Sequence, residues 1–525
     1  MNKLLIAVVN NRSKSELLIL IPLVLSAYTH LWNLTGFPSV HIDESHYMRR
    51  AMLVINGMGP QESASVGYPR TYDHPYFGQL LLGGILKLIG YPNLYYDEIS
   101  MHSIEVLHLI PRLVIGMISL IDTYLLYKIA EIRYSRKIAL ITTILFAVMP
   151  FTWVLRRVFL DTLLMPFLLT SILFALYVGI QGKKGPLSLS SINKKILILL
   201  SGLFLGLAIY TKIPTFTFIP LVAGIIYFGS RSKRQLAMWL APVFLIPLLW
   251  PLYAVAIGQG DLWMHWVLWQ TERNKPLDLS LTSFLQIDPI IATIGIAGII
   301  FASLRKDFFP LVWVAPFLIF SFFIGWVQYF HLIVLFPAFC IASGILIDSM
   351  QTRLVRMGRK MLPYIIIVSI SAFGIIITTM LITLNVNSAN YQIHTTIAAH
   401  LPMDDNVTMI GSHWWDWNTY WLTKLVMHKQ HEMIDPFFDR NFNDAVKTEK
   451  VLFIDDPILK EALSSKIRGV DINEIRRLYN LSRPVLVVVD NMTSNMPTSY
   501  PYNILRTMIE NENHPQGPVQ IRTNY

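Results

Sequence analysis

Phe77-Gly78-Gln79-Leu80-Leu81-Leu82-Gly83-Gly84-Ile85-Leu86-Lys87-Leu88-Ile89 decides which way every later segment of this chain faces. It is apolar, but its thirteen residues fall short of the roughly 20 that a helix needs to cross a bilayer core. Lys87 near its end makes a crossing costlier still. Counted as a span, it would invert every loop that follows. Taken as a helix lying at the outer interface, it leaves those loops where the charge asymmetry puts them.

Around that stretch the chain is oily. Of its 525 residues, 54% are hydrophobic and 14% charged, against about a quarter charged in soluble domains. Membrane-length apolar runs are Leu17–Leu34, Leu107–Ala130, Ile138–Val154, Phe159–Ile180, Ile196–Thr211, Pro214–Gly229, Leu236–Ile257, Ile290–Leu304, Phe308–Gly325, His331–Ile347 and Leu362–Leu384. They predict about 11 transmembrane helices. With the N-terminus in the cytoplasm, the inner loops take Lys3, Arg12, Lys14; Arg133, Arg136, Lys137; Lys183, Lys184, Lys194, Lys195; Arg231, Lys233, Arg234; Arg305, Lys306; and Arg353, Arg356, Arg359, Lys360. The short outer turns take only Arg156, Arg157, Lys212, Arg273 and Lys275. The net charge of +10 is therefore a positive-inside bias, and no nucleic-acid partner is expected. The first run has a basic flank and no small-residue cleavage site, so it reads as a retained signal anchor. The single cysteine, Cys340, excludes an internal disulfide.

From Asn385 the composition becomes that of a soluble domain, with β-rich runs at Val407–Gly411, Lys450–Asp455 and Pro484–Asp490. The expected fold is a polytopic α-helical membrane protein, N-terminus in and C-terminus out, with a small extracytoplasmic α/β C-terminal domain. Residues 1–384 form the membrane part, with a first outer loop over 35–106, and residues 385–525 form the second domain. Sequons at Asn33, Asn406, Asn480 and Asn491 then fall outside and Asn11 inside.

Directly after the first span comes His41-Ile42-Asp43-Glu44-Ser45-His46-Tyr47-Met48-Arg49-Arg50. Charge beside a bilayer is costly, so this cluster is a candidate site. Acids also suit a helix N-terminus, but capping does not need two acids, two histidines and two arginines together. Neighbours on a helix point about 100° apart, so Asp43 and Glu44 are expected to do different jobs. Asp161 opens the fourth span at the same face, where pairing with Arg157 is the plain structural alternative. Arg156, Arg157, Lys212 and Arg273 are outward cations, read either as snorkelling side chains or as a clamp for a lipid-linked phosphate. His41, His46, Asp73 and His74 allow a divalent-metal site, although their spacing matches no ligand pattern. Trp414, Trp415 and Trp417 belong to an aromatic run that either packs a core or stacks on an acceptor.

Together these residues resemble the C-superfamily polyprenyl-phosphate-sugar glycosyltransferases, in the branch of the protein O-mannosyltransferases and aminoarabinose transferases. The likeness rests on Asp43-Glu44, on Asp73-His74-Pro75 before Phe77-Gly78-Gln79-Leu80, on Arg157 with Leu160-Asp161, on Gly206–Lys212, and on Tyr329–Pro337. It covers about residues 17–350. The resemblance implies the GT-C fold in a multi-pass cell-membrane protein whose active site faces outward. It implies transfer of a sugar from a polyprenyl or dolichyl phosphate to a hydroxyl of a protein, glycan or lipid, with inversion. Protein glycosylation by a mannosyltransferase is one such activity. Asp43 would be the general base, Glu44 would orient the loop, and Asp161 would position acceptor or base. Arg157 and Lys212 would hold the departing phosphate, with Arg156, Arg273, His74 and Tyr210 as further contacts to the donor. No cofactor is fixed by it, and a metal is left open.

Two rivals remain at this point. Trp414-Trp415-Asp416 resembles the signature of oligosaccharyltransferase catalytic subunits. Against that, the outer turn between the ninth and tenth spans is short, and no paired Asp-x-Asp elements occur. A transporter or flippase would place ionisable groups at the midplane and show internal repeats, and neither is visible.

Overall fold

A computed structural model describes residues 17–61, 71–180, 193–273, 277–323, 327–359, 361–434, 450–464, 472–489, 503–506 and 518–525. Lys3, Asn11, Arg12, Lys14, Lys183, Lys184, Lys275, Lys360 and Asn491 lie outside the described residues.

Among the described residues, seven helices are long and apolar enough to cross a membrane: Met101–Arg133, Leu160–Gly179, Lys194–Thr211, Ile213–Ser230, Lys233–Ala256, Tyr329–Arg356 and Tyr364–Ile382. Two bent pairs raise the number to nine if each is one span. Arg136–Val148 meets Pro150–Arg156 at 70°, and Leu277–Ile287 meets Pro289–Leu304 at 112°. Leu17–Leu31 and Phe309–Phe323 are shorter apolar helices. This corrects two expectations: Ile138–Val154 is not one straight helix, and Ile290–Leu304 is the second arm of a longer broken element.

Both breaks fall at prolines, and for the same reason. The ring blocks the α conformation of the preceding residue and cannot donate to the ladder. Met149 before Pro150 is accordingly extended, at φ −69° and ψ 145°. Asp288 before Pro289 supplies the missing hydrogen bonds. One of its oxygens accepts from the amide of Ile291 at 3.1 Å and the other from the amide of Phe151 at 3.2 Å. A single buried carboxylate thus ties the two bends together.

The helix Phe77–Leu88 has 12 residues, a rise of about 18 Å, too little to cross by itself. It packs against the helix Ile42–Ile55. A Cβ on Gly83 would stand 2.8 Å from the Ala51 carbonyl oxygen and 2.8 Å from Val54 Cβ. Glycine is what lets the two helices approach this closely.

The chain after residue 400 forms a five-stranded sheet of order β2-β1-β3-β5-β4, with β1 Val407–Ile410, β2 His431–Ile434, β3 Val451–Asp455, β4 Arg483–Val489 and β5 Pro518–Thr523. β2, β1 and β3 are parallel, while β5 runs antiparallel to β3 and β4. β1, β3 and β4 coincide with the three expected runs. β2 and β5 were not expected, because β2 opens with polar His431 and Glu432 and β5 alternates polar Gln520 and Arg522 with Val519 and Ile521. The aromatic run forms the helix His413–Tyr420, continued by a π-helical turn over Trp421–Val426.

Candidate active site

The helix Ile42–Ile55 organises the site. His41 caps it, its Nδ1 accepting from the amide of Asp43 at 3.0 Å. The carboxylates of Asp43 and Glu44 in its first turn oppose the positive end of the dipole. They point apart. Glu44 is buried and takes two hydrogen bonds from Arg112, at 2.8 Å from Nε and 2.7 Å from Nη2. Arg112 also donates to the carbonyls of Leu34 and Pro38, at 2.8 and 2.9 Å. Asp43 is half-buried, and among the described residues no hydrogen bond or ion pair engages its carboxylate.

One and two turns on, Tyr47 and Arg50 extend the face of Asp43. Arg50 donates to Asp73 Oδ1 at 2.5 Å and to Thr71 at 2.6 Å. His46 Nε2 lies 3.3 Å and His74 Nε2 3.9 Å from the other oxygen of Asp73. Across from them Asp161, in the first turn of the helix Leu160–Ile180, pairs with Lys212 at 2.6 Å. Both are buried. Lys212 reaches it from the end of the helix Lys194–Thr211. The pairing with Arg157 weighed from the sequence is not the one formed.

The three carboxylates Asp43, Asp161 and Asp73 converge on the Tyr47 hydroxyl. Burial and then their negative charge push that hydroxyl well above its ordinary range. Arg273 lies over the Trp269 ring at 4.8 Å, within electrostatic range of Asp43 and Asp73. Burial lowers its pKa and those two carboxylates oppose the shift. His331 joins the group, close enough to interact with Lys212, His74, Arg273 and His41. The result is a group of two cations, Lys212 and Arg273, with the imidazoles of His74 and His331 beside them, and Arg273 within electrostatic range of the Asp43 carboxylate. His331 was missed from the sequence. It sits inside an apolar run, and a lone histidine there was the signal that could have found it.

Other expected residues sit elsewhere. Arg156 is buried and donates to the backbone carbonyls of Thr29, Trp32, Asn33 and Phe37. Arg157 donates to the Ser39 carbonyl at 2.8 Å and hydroxyl at 2.7 Å, and lies 4.9 Å from the Trp153 ring. Both arginines brace the entry to the first loop. Tyr210 stacks on Phe77 at 6.3 Å. Trp414 and Trp415 are buried in the core of the sheet, where Trp415 Nε1 donates to Asp456 at 2.8 Å. Trp417 instead faces the first loop, its ring 4.8 Å from that of His46 and 4.7 Å from the Arg49 guanidinium.

Among the described residues no three His, Cys, Asp or Glu side chains converge as metal ligands. His41 Nδ1 holds the Asp43 amide, and His46 is shared between Arg49, at 2.9 Å, and Asp73. These residues do not fit a metal, and no step below runs through one.

Burial lowers the pKa of His74 to about 3, with Lys212 and Arg50 adding to it and Asp73 opposing, so the ring is neutral at physiological pH. Burial opposes ionisation of Glu44, but Arg112 more than offsets it and holds the carboxyl at about 2. A depressed folded pKa contributes stability that is full above the unfolded value, about 4.5, and lost as pH falls towards 2. The thermal midpoint of the detergent-purified protein is expected to drop over that window, and the drop should be smaller in Glu44→Gln. Identical profiles in the two proteins would refute the ion pair's contribution.

Residues 20–257 match the family model described as dolichyl-phosphate-mannose-protein mannosyltransferase. A comparison with curated protein sequences gives no match. Among solved structures, apo ArnT from Cupriavidus metallidurans superposes with a TM-score of 0.60 at 13% identity, covering 98% of each chain. The oligosaccharyltransferase AglB from Archaeoglobus fulgidus, in complex with an inhibitory peptide and a dolichol-phosphate, gives 0.57 at 12% identity, covering 95% of this chain and 78% of that one. Against an Archaeoglobus fulgidus oligosaccharyltransferase tethered with an acceptor peptide, the TM-score is 0.53 at 12% identity, and the match covers 79% of this chain but only 63% of that one.

Proposed function

We propose that this C-superfamily membrane glycosyltransferase moves a sugar from a polyprenyl, dolichyl-type phosphate to a hydroxyl of a protein or glycolipid acceptor at the extracytoplasmic face, with inversion. The mannosyltransferase family match over residues 20–257 supports a lipid-phosphate sugar as donor. The observation that carries the chemistry is the carboxylate of Asp43, unengaged among the described residues and within electrostatic range of Arg273 and of Asp161, which in turn pairs with Lys212.

Asp43 takes the proton of the acceptor hydroxyl as its oxygen bonds to the anomeric carbon from the side opposite the phosphate. The bond from that carbon to the phosphate oxygen breaks and its electron pair leaves with the phosphate. Lys212 and Arg273 meet the charge that develops there, where fixed cations in a partly dry site act most strongly. Asp161 holds Lys212 in place through their ion pair. Glu44, locked by Arg112, fixes the loop. Arg157 and Arg156 act through the backbone of that loop, and His74 and Tyr210 line the donor side. Trp417, beside His46 and Arg49, is the tryptophan of that run offered to an acceptor, while Trp414 and Trp415 pack the core of the sheet.

The proposal includes eleven spans, an inward N-terminus and an outward domain over 385–525. The count supports it: the nine long or bent elements plus Leu17–Leu31 and Phe309–Phe323 make eleven. In whole cells, a cysteine at Lys450 is expected to react with an impermeant maleimide, and one at Arg234 only after permeabilisation. The reverse pattern would overturn the topology. Purified protein given dolichyl-phosphate mannose and other polyprenyl-phosphate sugars should label a Ser/Thr peptide or a glycolipid. Labelling of an Asn-x-Thr peptide alone would favour an oligosaccharyltransferase, and no transfer from any carrier would sink the proposal.

A further inference from the structure

The helix Ile42–Ile55 presents different faces to different neighbours. Asp43, Tyr47 and Arg50 face the site, and Glu44 faces Arg112. Ser45, Arg49 and Asn56 recur one and three turns apart, and all three meet one short segment of the C-terminal part of the chain. Ser45 Oγ donates to Asn418 Oδ1 at 2.5 Å, and Asn418 Nδ2 donates to the Trp414 carbonyl at 2.7 Å. The Arg49 guanidinium lies 4.7 Å from the Trp417 ring and 5.8 Å from Tyr420. Asn56 reaches the Leu425 carbonyl at 3.5 Å.

A second set of bonds grips the loop just before the helix. The amide of Val40 donates to Asn387 Oδ1 at 3.0 Å, and Asn387 Nδ2 donates to the carbonyls of Thr35 and Pro38, both at 2.8 Å. The Val386 amide donates to the Gly36 carbonyl at 2.8 Å, and Tyr391 donates its hydroxyl to Thr35 at 3.0 Å.

We infer that residues 386–426 form a clasp that sets the rotation of the Asp43 helix, and that Asn418 is the positioning residue through which it acts. This rests on Asp43 being the base. Asn418 is fully buried, so it meets no acceptor itself. Its amide joins the Ser45 face to the backbone of the helix His413–Tyr420. A helix turns as a unit. A carboxylate about 6 Å from the axis moves about 1 Å for a rotation of about 10°. Misplacement by about 1 Å can lower a rate about a hundredfold.

The test compares Ser45→Ala, Asn418→Ala and their double variant in the full chain, using the polyprenyl-phosphate sugar that the wild type accepts. Each single change should lower kcat about ten- to hundredfold with donor KM within about twofold. The double variant should match the singles, because both remove the same bond. Ser45→Thr, which keeps the hydroxyl, should restore kcat. Unchanged kcat in Ser45→Ala, or losses that multiply in the double variant, overturns the clasp. If Asn418→Ala does not fold, Ser45→Ala and Ser45→Thr carry the test. Asp43→Asn is run beside them: an active Asp43→Asn defeats the assignment of the base, whereas an inactive one with normal Ser45→Ala defeats the clasp alone.

Discussion

Asp43→Asn is expected to lower sugar transfer by about 10²–10⁴-fold, the range over which a positioned general base contributes. The change keeps shape and volume and removes only basicity. Among the described residues no hydrogen bond or ion pair holds this carboxylate, so the fold has no partner there to lose. Donor KM should stay within a few fold, since in the proposed reaction Lys212 and Arg273, and not an acid, meet the phosphate. Single-turnover transfer from the lipid carrier, measured beside the thermal midpoint, separates the two effects. A variant that unfolds at the wild-type temperature and retains more than about a tenth of the rate removes Asp43 from the chemistry.

The largest structural loss should follow Arg112→Met. Breaking a buried ion pair from one side typically costs about 3–5 kcal/mol, because the surviving charge has nothing to compensate it. Here Glu44 would be left buried without its guanidinium, the Leu34 carbonyl would lose its Arg112 donor, and the Pro38 carbonyl would keep only Asn387. The thermal midpoint should fall steeply, and activity with it. Adding Glu44→Gln should recover part of the stability, since it neutralises the stranded acid. A double variant less stable than Arg112→Met alone would contradict this account.

Much of this was legible in the sequence because hydropathy and charge act locally. A run of apolar residues marks a membrane-length helix wherever it later packs, and the shortness of Phe77–Leu88 could be counted directly. The separate environments of Asp43 and Glu44 follow from the 100° step of a helix. Direction was not legible. Hydropathy continues unbroken through Pro150, and only the proline hints that the axis turns by 70°. Partners were the other gap. Arg112 lies 68 residues from Glu44 in a helix read simply as a span, and Lys212 is 51 residues from Asp161. Pairings at that distance are fixed by packing, which one sequence does not display. Strands β2 and β5 escaped for a related reason: they are held by neighbours in the sheet, not by a pattern of their own.

Asp288 has an evolutionary consequence. Its two oxygens serve amides that stand 137 and three residues away, so neither corner can drift independently. An insertion near Met149 that displaced the Phe151 amide would have to be answered near Ile287, in a part of the gene that shares no local context with it. Descendants of this chain should therefore keep both proline corners or lose both together.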